Sequence, residues 1–463
     1  MINFFNTLTH KKESFKTINK NKIGFYTCGP TVYWYAHLGN LRTYIFEDIL
    51  RRTLKYNGYK VKQVMNITDV EDKIIKKSIQ ENKDIYAVTK PYEKIFFNDL
   101  KKLNIEKAEK YPKATNHIKE MINMIKLLIK KGLAYKGEDS SVYFNISKFK
   151  NYGKLSQLKK RELKIGVRIS SDEYKKEEAQ DFVLWKTQFD EKLKKIKAVW
   201  KSPWGWGRPG WHIECSAMAM KYLGKTFDIH AGAVDLIFPH HENEIAQSEG
   251  ITEKKFSNFW LHGEHLLIDG QKMSKSLGNI FTLRDIENKN INPLAFRYLI
   301  LTSHYRSKLN FTWESLKGAQ NALNNLADNL RLTINEKKRP IINDKKIKKY
   351  KKDFLNAIDD DLNTPKAIAL IWQIIKDDNS PNFIKKQLIL EFDKVLGLGL
   401  NKIKPVKIQE IPIKIKKMAE EREILRRNKQ FIPADLLRKK IEELGYIIED
   451  TSSGHLVLRK SEI

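Results

Sequence analysis

The hydrophobic pattern of this chain changes period several times, and each change predicts a different element. Lys22-Ile23-Gly24-Phe25-Tyr26-Thr27-Cys28 is a short apolar run stopped by Gly29-Pro30, which predicts a buried strand. Leu41, Ile45 and Ile49 then recur every fourth residue with Phe46 and Leu50 beside them, as on one apolar helix face. Lys60-Val61-Lys62-Gln63-Val64-Met65-Asn66 predicts the next strand. A strand, loop, helix, strand unit of this kind belongs to α/β folds with a Rossmann-like, doubly wound parallel sheet. Ligands of such sheets sit at the carboxyl ends of strands, near helix amino termini, and Cys28 and His37 both fall on that edge.

From about position 90 to 201 the pattern is mixed, with a helical stretch at Met121 to Ile129 and a strand-like Ser141-Val142-Tyr143-Phe144, which predicts an insertion between two halves of the nucleotide-binding fold. The second half resumes near Trp204, with candidate strands at Phe227-Asp228-Ile229-His230 and Trp260-Leu261-His262 and a proline-initiated helix from Asn292-Pro293 through Leu301. After about Phe311 long charged amphipathic helices take over, such as Leu316 to Leu330 and Lys366 to Ile375. Pro405 to Pro412 reads as a linker, followed by a helix around Phe431 to Leu444 and a hairpin of Ile447 to Glu449 with Leu456 to Arg459 across Ser452-Ser453-Gly454. The expected domains are therefore a catalytic unit over 1–310, a helical bundle over 311–404 and a small C-terminal α/β module over 405–463.

With 463 residues, 41% of them hydrophobic, the chain is long enough to bury two or three cores. It contains no apolar run of membrane-spanning length, and Met1-Ile2-Asn3-Phe4-Phe5 lacks the basic and apolar regions of a signal peptide, so a soluble cytoplasmic protein without a membrane partner is expected. Two cysteines, Cys28 and Cys215, exclude a disulfide framework and leave metal ligation or simple burial. A net charge of +30 suits a partner rich in phosphates, such as a transfer RNA. Only 16 of the 86 basic residues are arginine, a bias that compositional drift in an AT-rich genome also produces. The densest basic run, Lys345-Lys346-Ile347-Lys348-Lys349-Tyr350-Lys351-Lys352, reads equally as an RNA contact or as a solvated helix face.

Two distant segments carry candidate phosphate chemistry. In Pro30-Thr31-Val32-Tyr33-Trp34-Tyr35-Ala36-His37-Leu38-Gly39-Asn40, a histidine and a glycine open a helix whose free N–H groups face an anion. Lys272-Met273-Ser274-Lys275-Ser276 offers two ammonium groups on a Gly-flanked loop. The pair resembles the HIGH and KMSKS signatures of class I aminoacyl-tRNA synthetases, in that order and at that wide separation. The resemblance implies an ATP site. His37 would donate to the α-phosphate as charge develops, Gly39 would permit close approach, Asn40 would add an amide, Lys272 and Lys275 would neutralise pyrophosphate, and Ser274 would bind phosphate or cap the loop. Asn40 replaces the second histidine of the nominal motif.

A third constellation joins Cys28 and Cys215 to His240 and Glu244, four residues apart and on one face if helical. Two thiolates, an imidazole and a carboxylate can form a zinc shell, and buried cysteines with a histidine hydrogen-bond network is the alternative. Thr27 to Tyr33, Gly207 to Ser216 and Phe238 to Glu244, with Asn66-Ile67-Thr68-Asp69 and His304-Tyr305-Arg306-Ser307, resemble the cysteinyl-tRNA synthetase family over nearly the whole chain. That resemblance implies one Zn2+ bound by Cys28, Cys215, His240 and Glu244, with His241 as the other candidate for the imidazole and the substrate sulfur as a further ligand. It also implies Cys28, Thr68, Trp211, His230 and Asp235 around the amino acid, Trp211 and His230 on the pocket floor. ATP with Mg2+, L-cysteine and tRNA(Cys) would be its partners, and the protein would act as a monomer. Two other readings stay open at this point: a ligase joining cysteine to an amino sugar, whose members lack the terminal module seen in Phe431 to Arg459, and a noncatalytic RNA-binding relative.

Overall fold

The computed structural model describes residues 1–158, 163–169, 179–274, 277–332, 344–403, 412–451 and 454–459. At its centre lie four parallel strands with their helices: β1 (Lys22–Thr27), α1 (Leu38–Tyr56), β2 (Lys60–Met65), α2 (Trp211–Leu223), β3 (Phe227–Ala233), α3 (Glu242–Thr252) and β4 (Ser257–Gly263). The strand order is β4-β3-β1-β2, with Phe25 opposite both Gln63 and Ile229 and His230 opposite Trp260. β3 is covered on both faces and buried over all but its last residue, which explains why it reads as an apolar run without alternation, whereas the edge strand β2 is buried only over its second half.

The order also fixes where a ligand can bind. The chain leaves β1 toward β2 on one side and leaves β3 toward β4 on the other, so the loops after β1 and β3 part at the sheet's carboxyl edge and open a crevice between them. Cys28 follows β1 directly, and the segment from Val234 to His241 follows β3. Gly29 is required there, because a Cβ on it would stand 1.7 Å from the Asn66 carbonyl oxygen.

Helix α1 is more deeply buried than an amphipathic pattern predicts. Leu41, Ile45 and Ile49 are buried as expected, but so are Arg42, Glu47, Asp48 and Arg51. The polar side is covered because it packs against the helices Pro293–Leu301 and Asn382–Leu396. The fully buried Arg297 guanidinium donates to Asp48 Oδ2 at 2.5 Å, to the Leu396 carbonyl at 2.7 Å and to the Leu103 carbonyl at 3.0 Å. Asp48 also accepts from Arg52 at 2.7 Å.

Between β2 and α2 lies a separate six-stranded sheet of Ala134–Lys136, Val142–Phe144, Leu163–Ile169, Ala179–Thr187, Trp200–Ser202 and Gly205–Pro209. It extends beyond the expected edge near Lys201, because Pro203-Trp204 closes a hairpin that returns Gly205–Pro209 along Ala179–Thr187 before α2 begins. The helices Trp313–Leu332, Asp344–Asp359, Thr364–Ile375 and Asn382–Leu396 follow. In the basic run, Lys346 pairs with Asp377 at 2.5 Å and Lys351 with Glu391 at 2.8 Å, so part of that charge fastens helices together.

Most of the described chain forms one compact unit; the helices Ile413–Arg427 and Phe431–Glu443 and the hairpin Tyr446–Thr451 with Gly454–Arg459 belong to a second. That unit is built on a small core of Ile415, Ala419, Ile441 and Ile448. The linker residues 404–411 and the turn residues Ser452 and Ser453 lie outside the described residues. Among the described residues no helix is long and apolar enough to cross a membrane.

Replacing Arg297 by Met leaves Asp48 buried with one cation fewer and strands two carbonyls, and should cost about 3–5 kcal/mol. Urea unfolding checks this, with a large drop in midpoint expected and an unchanged midpoint contradicting the role.

Candidate active site and metal centre

The two cysteines meet at the crevice. Cys28 comes from the end of β1 and Cys215 from the second turn of α2, and their sulfurs are 4.0 Å apart. Glu244, fully buried in the first turn of α3, brings Oε1 to 3.8 Å from Cys28 Sγ and 3.2 Å from His240 Nε2. His240 is not on α3 itself; it lies in the segment Ile237–His241 that leads into it past an extended Phe238, and the four-residue spacing still places both groups side by side. One donor atom each from Cys28, Cys215, His240 and Glu244 fall within 4.8 Å of one another, and a second set of Cys28, His230, His241 and Glu244 does the same. Ligands held ~2.0–2.3 Å from a tetrahedral zinc ion lie roughly 3.3–3.8 Å apart, so small adjustments close either set on an ion. His240 Nε2 is buried 3.2 Å from Glu244 Oε1 and faces Cys215, so binding a metal there would release the proton that these two anions hold on it.

Neighbouring groups orient these donors. His230 Nε2 is 3.0 Å from Glu244 Oε2, which aims Oε1 at the cysteines. His240 Nδ1 is 3.0 Å from His212 Nδ1, while His241 Nδ1 is 2.8 Å from His262 Nε2, whose other nitrogen meets Thr7 Oγ1 at 2.8 Å. A metal-ligating imidazole needs such support on its far nitrogen. Burial resists ionisation of Cys215, but the hydrogen bond from Cys28 and the charge of His240 outweigh it and bring the thiol down to about 6. Burial equally opposes protonation of His240, yet the Cys215 thiolate and Glu244 hold its proton up to about 10. Burial pushes the Cys28 thiol well up, and the adjacent Cys215 adds to it. Within the cluster Cys215 is thus the more acidic thiol and His240 the more basic imidazole, each favoured by the other.

Above it opens a cavity of about 970 Å3, whose wall includes Cys28, Cys215, His240, Thr68, Trp211 and Asp235. Thr68 Oγ1 donates to Glu214 Oε2 at 3.2 Å, and the Trp211 ring lies 4.2 Å from the His240 ring. One expectation needs correction. His230 does not reach the pocket floor; it is wholly buried in β3, stacked on Trp260 at 4.5 Å, and acts on Glu244 from behind. Sequence reasoning also missed His212, His262 and Glu214, which hold His240, His241 and Thr68 respectively; the only trace was the position of His212 and Glu214 next to Trp211 and Cys215 on one helix.

His37 borders the same cavity as the N-cap of α1. Its Nδ1 accepts from the Asn40 N–H and the Asn40 Oδ1 accepts from the His37 N–H, each at 3.2 Å, a reciprocal capping box. Burial holds the imidazole below its ordinary value against the pull of Asp235, so His37 is neutral at pH 7. With Nδ1 accepting, the remaining proton sits on Nε2 as a donor. Asn40 therefore serves the helix start through its oxygen, a task the motif comparison did not reveal.

The second signature begins on a hairpin, Leu266–Ile268 with Gln271–Lys272, turned by Asp269 and Gly270, both at positive φ. Lys272 is exposed, Ser274 Oγ accepts from the Leu277 N–H at 3.3 Å, and Lys275 and Ser276 lie outside the described residues. The two signatures touch. A Cβ on Gly39 would stand 2.4 Å from Met273 Cε, and the Leu38 N–H donates to the Phe281 carbonyl at 2.8 Å.

Residues 14–321 match the family described as tRNA synthetases class I (C) catalytic domain, and residues 353–401 match the DALR domain. A cysteine–tRNA ligase of Chlamydia felis is 48% identical over 462 residues, covering 97% of this chain and 96% of that protein. The chain belongs to the cysteinyl-tRNA synthetase family. Another cysteine–tRNA ligase, from Brachyspira hyodysenteriae, is 47% identical with 97% and 98% of the two chains covered. The fold is shared more widely: the structure of Mycobacterium tuberculosis methionyl-tRNA synthetase with methionyl-adenylate superposes with a TM-score of 0.59 at 14% identity, covering 82% of this chain and 93% of that one. Membership makes the chain an ATP-dependent ligase of cysteine and tRNA, and sets aside the amino-sugar and noncatalytic readings.

Removing the cap acceptor by Asn40→Ala should cost about 1 kcal/mol of stability, while Asn40→Asp, which keeps an oxygen there, should cost little. Thermal melts of the three proteins check this, and equal losses for both variants would contradict the capping role.

Proposed function

We propose that this ligase selects L-cysteine through a zinc ion held by Cys28, Cys215, His240 and Glu244, converts it with MgATP to cysteinyl-adenylate, and passes the cysteinyl group to the terminal ribose of tRNA(Cys). The observation that supports this most directly is the 4.0 Å approach of the two cysteine sulfurs at the wall of the cavity that His37 also borders. Bound zinc would supply a soft electrophilic site that takes a thiolate far better than a hydroxyl. Size alone could not separate cysteine from serine, since one atom's difference in a shaped pocket is worth only ~1–3 kcal/mol. The set with both thiols is preferred to the set with His241 because it is the softer of the two.

Around the amino acid, Thr68 and Trp211 position the backbone and side chain, and Asp235 faces the amino group. A carboxylate oxygen of cysteine attacks the α-phosphorus and pyrophosphate leaves. His37 donates from Nε2 to the phosphate as charge accumulates, Gly39 and Asn40 shape the helix start beneath it, and Lys272, Lys275 and Ser274 bind the departing pyrophosphate. A ribose hydroxyl of the tRNA then attacks the carbonyl carbon and AMP leaves. Cys28, Cys215, His240 and Glu244 would hold the ion and the substrate sulfur would be a further donor to it, while the second oxygen of Glu244 keeps its partner in His230. The helices over 311–404 would contact the tRNA stem and the module over 405–463 its anticodon, with the enzyme acting as a monomer in the cytoplasm.

Cys215→Ser should abolish both zinc content and cysteine-dependent pyrophosphate exchange, by a factor of about 100 or more for exchange. Metal analysis together with exchange kinetics reads both at once. Full zinc and normal exchange in this variant would overturn the assigned metal site.

A further inference from the structure

At the rim of the cavity stands an aromatic cluster that the cysteine and ATP chemistry leaves unused. Trp34 is 50% exposed, although its ring is held from two sides: Tyr35 packs edge-on at 5.2 Å and Tyr92 lies tilted at 6.0 Å. Tyr35 and Tyr92 meet edge-on at 5.5 Å. Lys77 Nζ is 5.0 Å from the Trp34 ring centre and 4.2 Å from that of Tyr92, and is fixed by the Tyr33 carbonyl at 3.0 Å and the Tyr92 hydroxyl at 2.5 Å. Arg284 lies over Tyr35 at 4.3 Å and donates to its hydroxyl at 2.6 Å. The cluster holds one indole face-out between rings that brace it edge-on and tilted, with cations beside it.

We propose that Trp34, supported by Tyr35, Tyr92 and Lys77, is a stacking platform for an unpaired base of the tRNA 3′ end as that end crosses the rim into the cavity. The inference rests on the reading that this chain acylates tRNA. Bases in a duplex are already stacked on their neighbours, so an exposed aromatic surface selects single-stranded nucleotides, and adjacent ammonium groups neutralise their phosphates. Trp34 borders the same cavity as His37 and Cys215, and Lys73 and Lys76 border it too. A ribose that must reach the activated cysteine brings its last nucleotides across this edge. Holding the ring in a fixed pose among its neighbours prepays the ordering that stacking requires.

The test uses the full-length zinc-loaded enzyme, tRNA(Cys), and the same tRNA trimmed of its unpaired 3′ nucleotides. Trp34→Ala should weaken binding of intact tRNA about tenfold or more. Trimming should weaken binding to the wild type comparably and cost the variant almost nothing further, a non-additive cycle. Trp34→Phe, which keeps a ring, should recover most of the loss. Cysteine-dependent pyrophosphate exchange without RNA, and its KM for ATP, should stay within twofold, showing that the variant is folded and that the ring does not serve adenine. Additive losses in the binding cycle, or a raised KM for ATP with unchanged tRNA affinity, would overturn the platform. A wild type that binds tRNA(Cys) but does not charge it would instead contradict the acylation reading, and the binding cycle would still decide the platform.

Discussion

Everything at this site depends on two sulfurs meeting where a parallel sheet changes direction. Cys28 ends the inner strand β1, and Cys215 comes from a helix nearly two hundred residues later, yet the crevice between β1 and β3 brings Sγ to Sγ at 4.0 Å. A buried carboxylate and buried imidazoles crowd the same few ångströms, an arrangement that is costly unless each charge is compensated. Glu244 is held between His230 and His240, and against the cost of burial Cys215 is pulled toward ionisation while His240 is pulled toward protonation. That internal compensation keeps a metal-ready cluster folded with donors already aimed at one point.

The nucleotide side is coupled to the same frame. α1 starts at His37 and runs through the molecule to Tyr56, and its buried Asp48 ties it through Arg297 to the helices behind. At its start, the contact of Gly39 with Met273 and the bond from Leu38 to Phe281 join the two signatures. The hairpin that carries Lys272 is thereby held beside the start of α1, at the edge of the cavity that His37 borders.

Much of this was legible in the chain. The apolar runs of β1, β3 and β4 could be read because these parallel strands are largely buried on both faces, and the chain's two cysteines could be paired because their motifs resembled one family. Other features left no local mark. The polar side of α1 looked solvent-facing, since nothing near Asp48 in sequence announces Arg297. His212 and His262 support their neighbours from segments far apart in the chain, and His230 resembled a pocket residue although its partner, Glu244, turns it inward. The strand Gly205–Pro209 was not foreseen, because its pairing with Ala179–Thr187 joins segments about twenty residues apart. Lys275 lies outside the described residues, so its role rests on the motif alone.

The central claim is that the incoming sulfur is recognised by a metal at this cysteine pair, and zinc K-edge X-ray absorption on the purified enzyme tests it directly. The account predicts two sulfur neighbours at about 2.3 Å without substrate, three when L-cysteine is added, and two still with L-serine. A sulfur count that does not change on adding L-cysteine, or that changes equally with both amino acids, would contradict it.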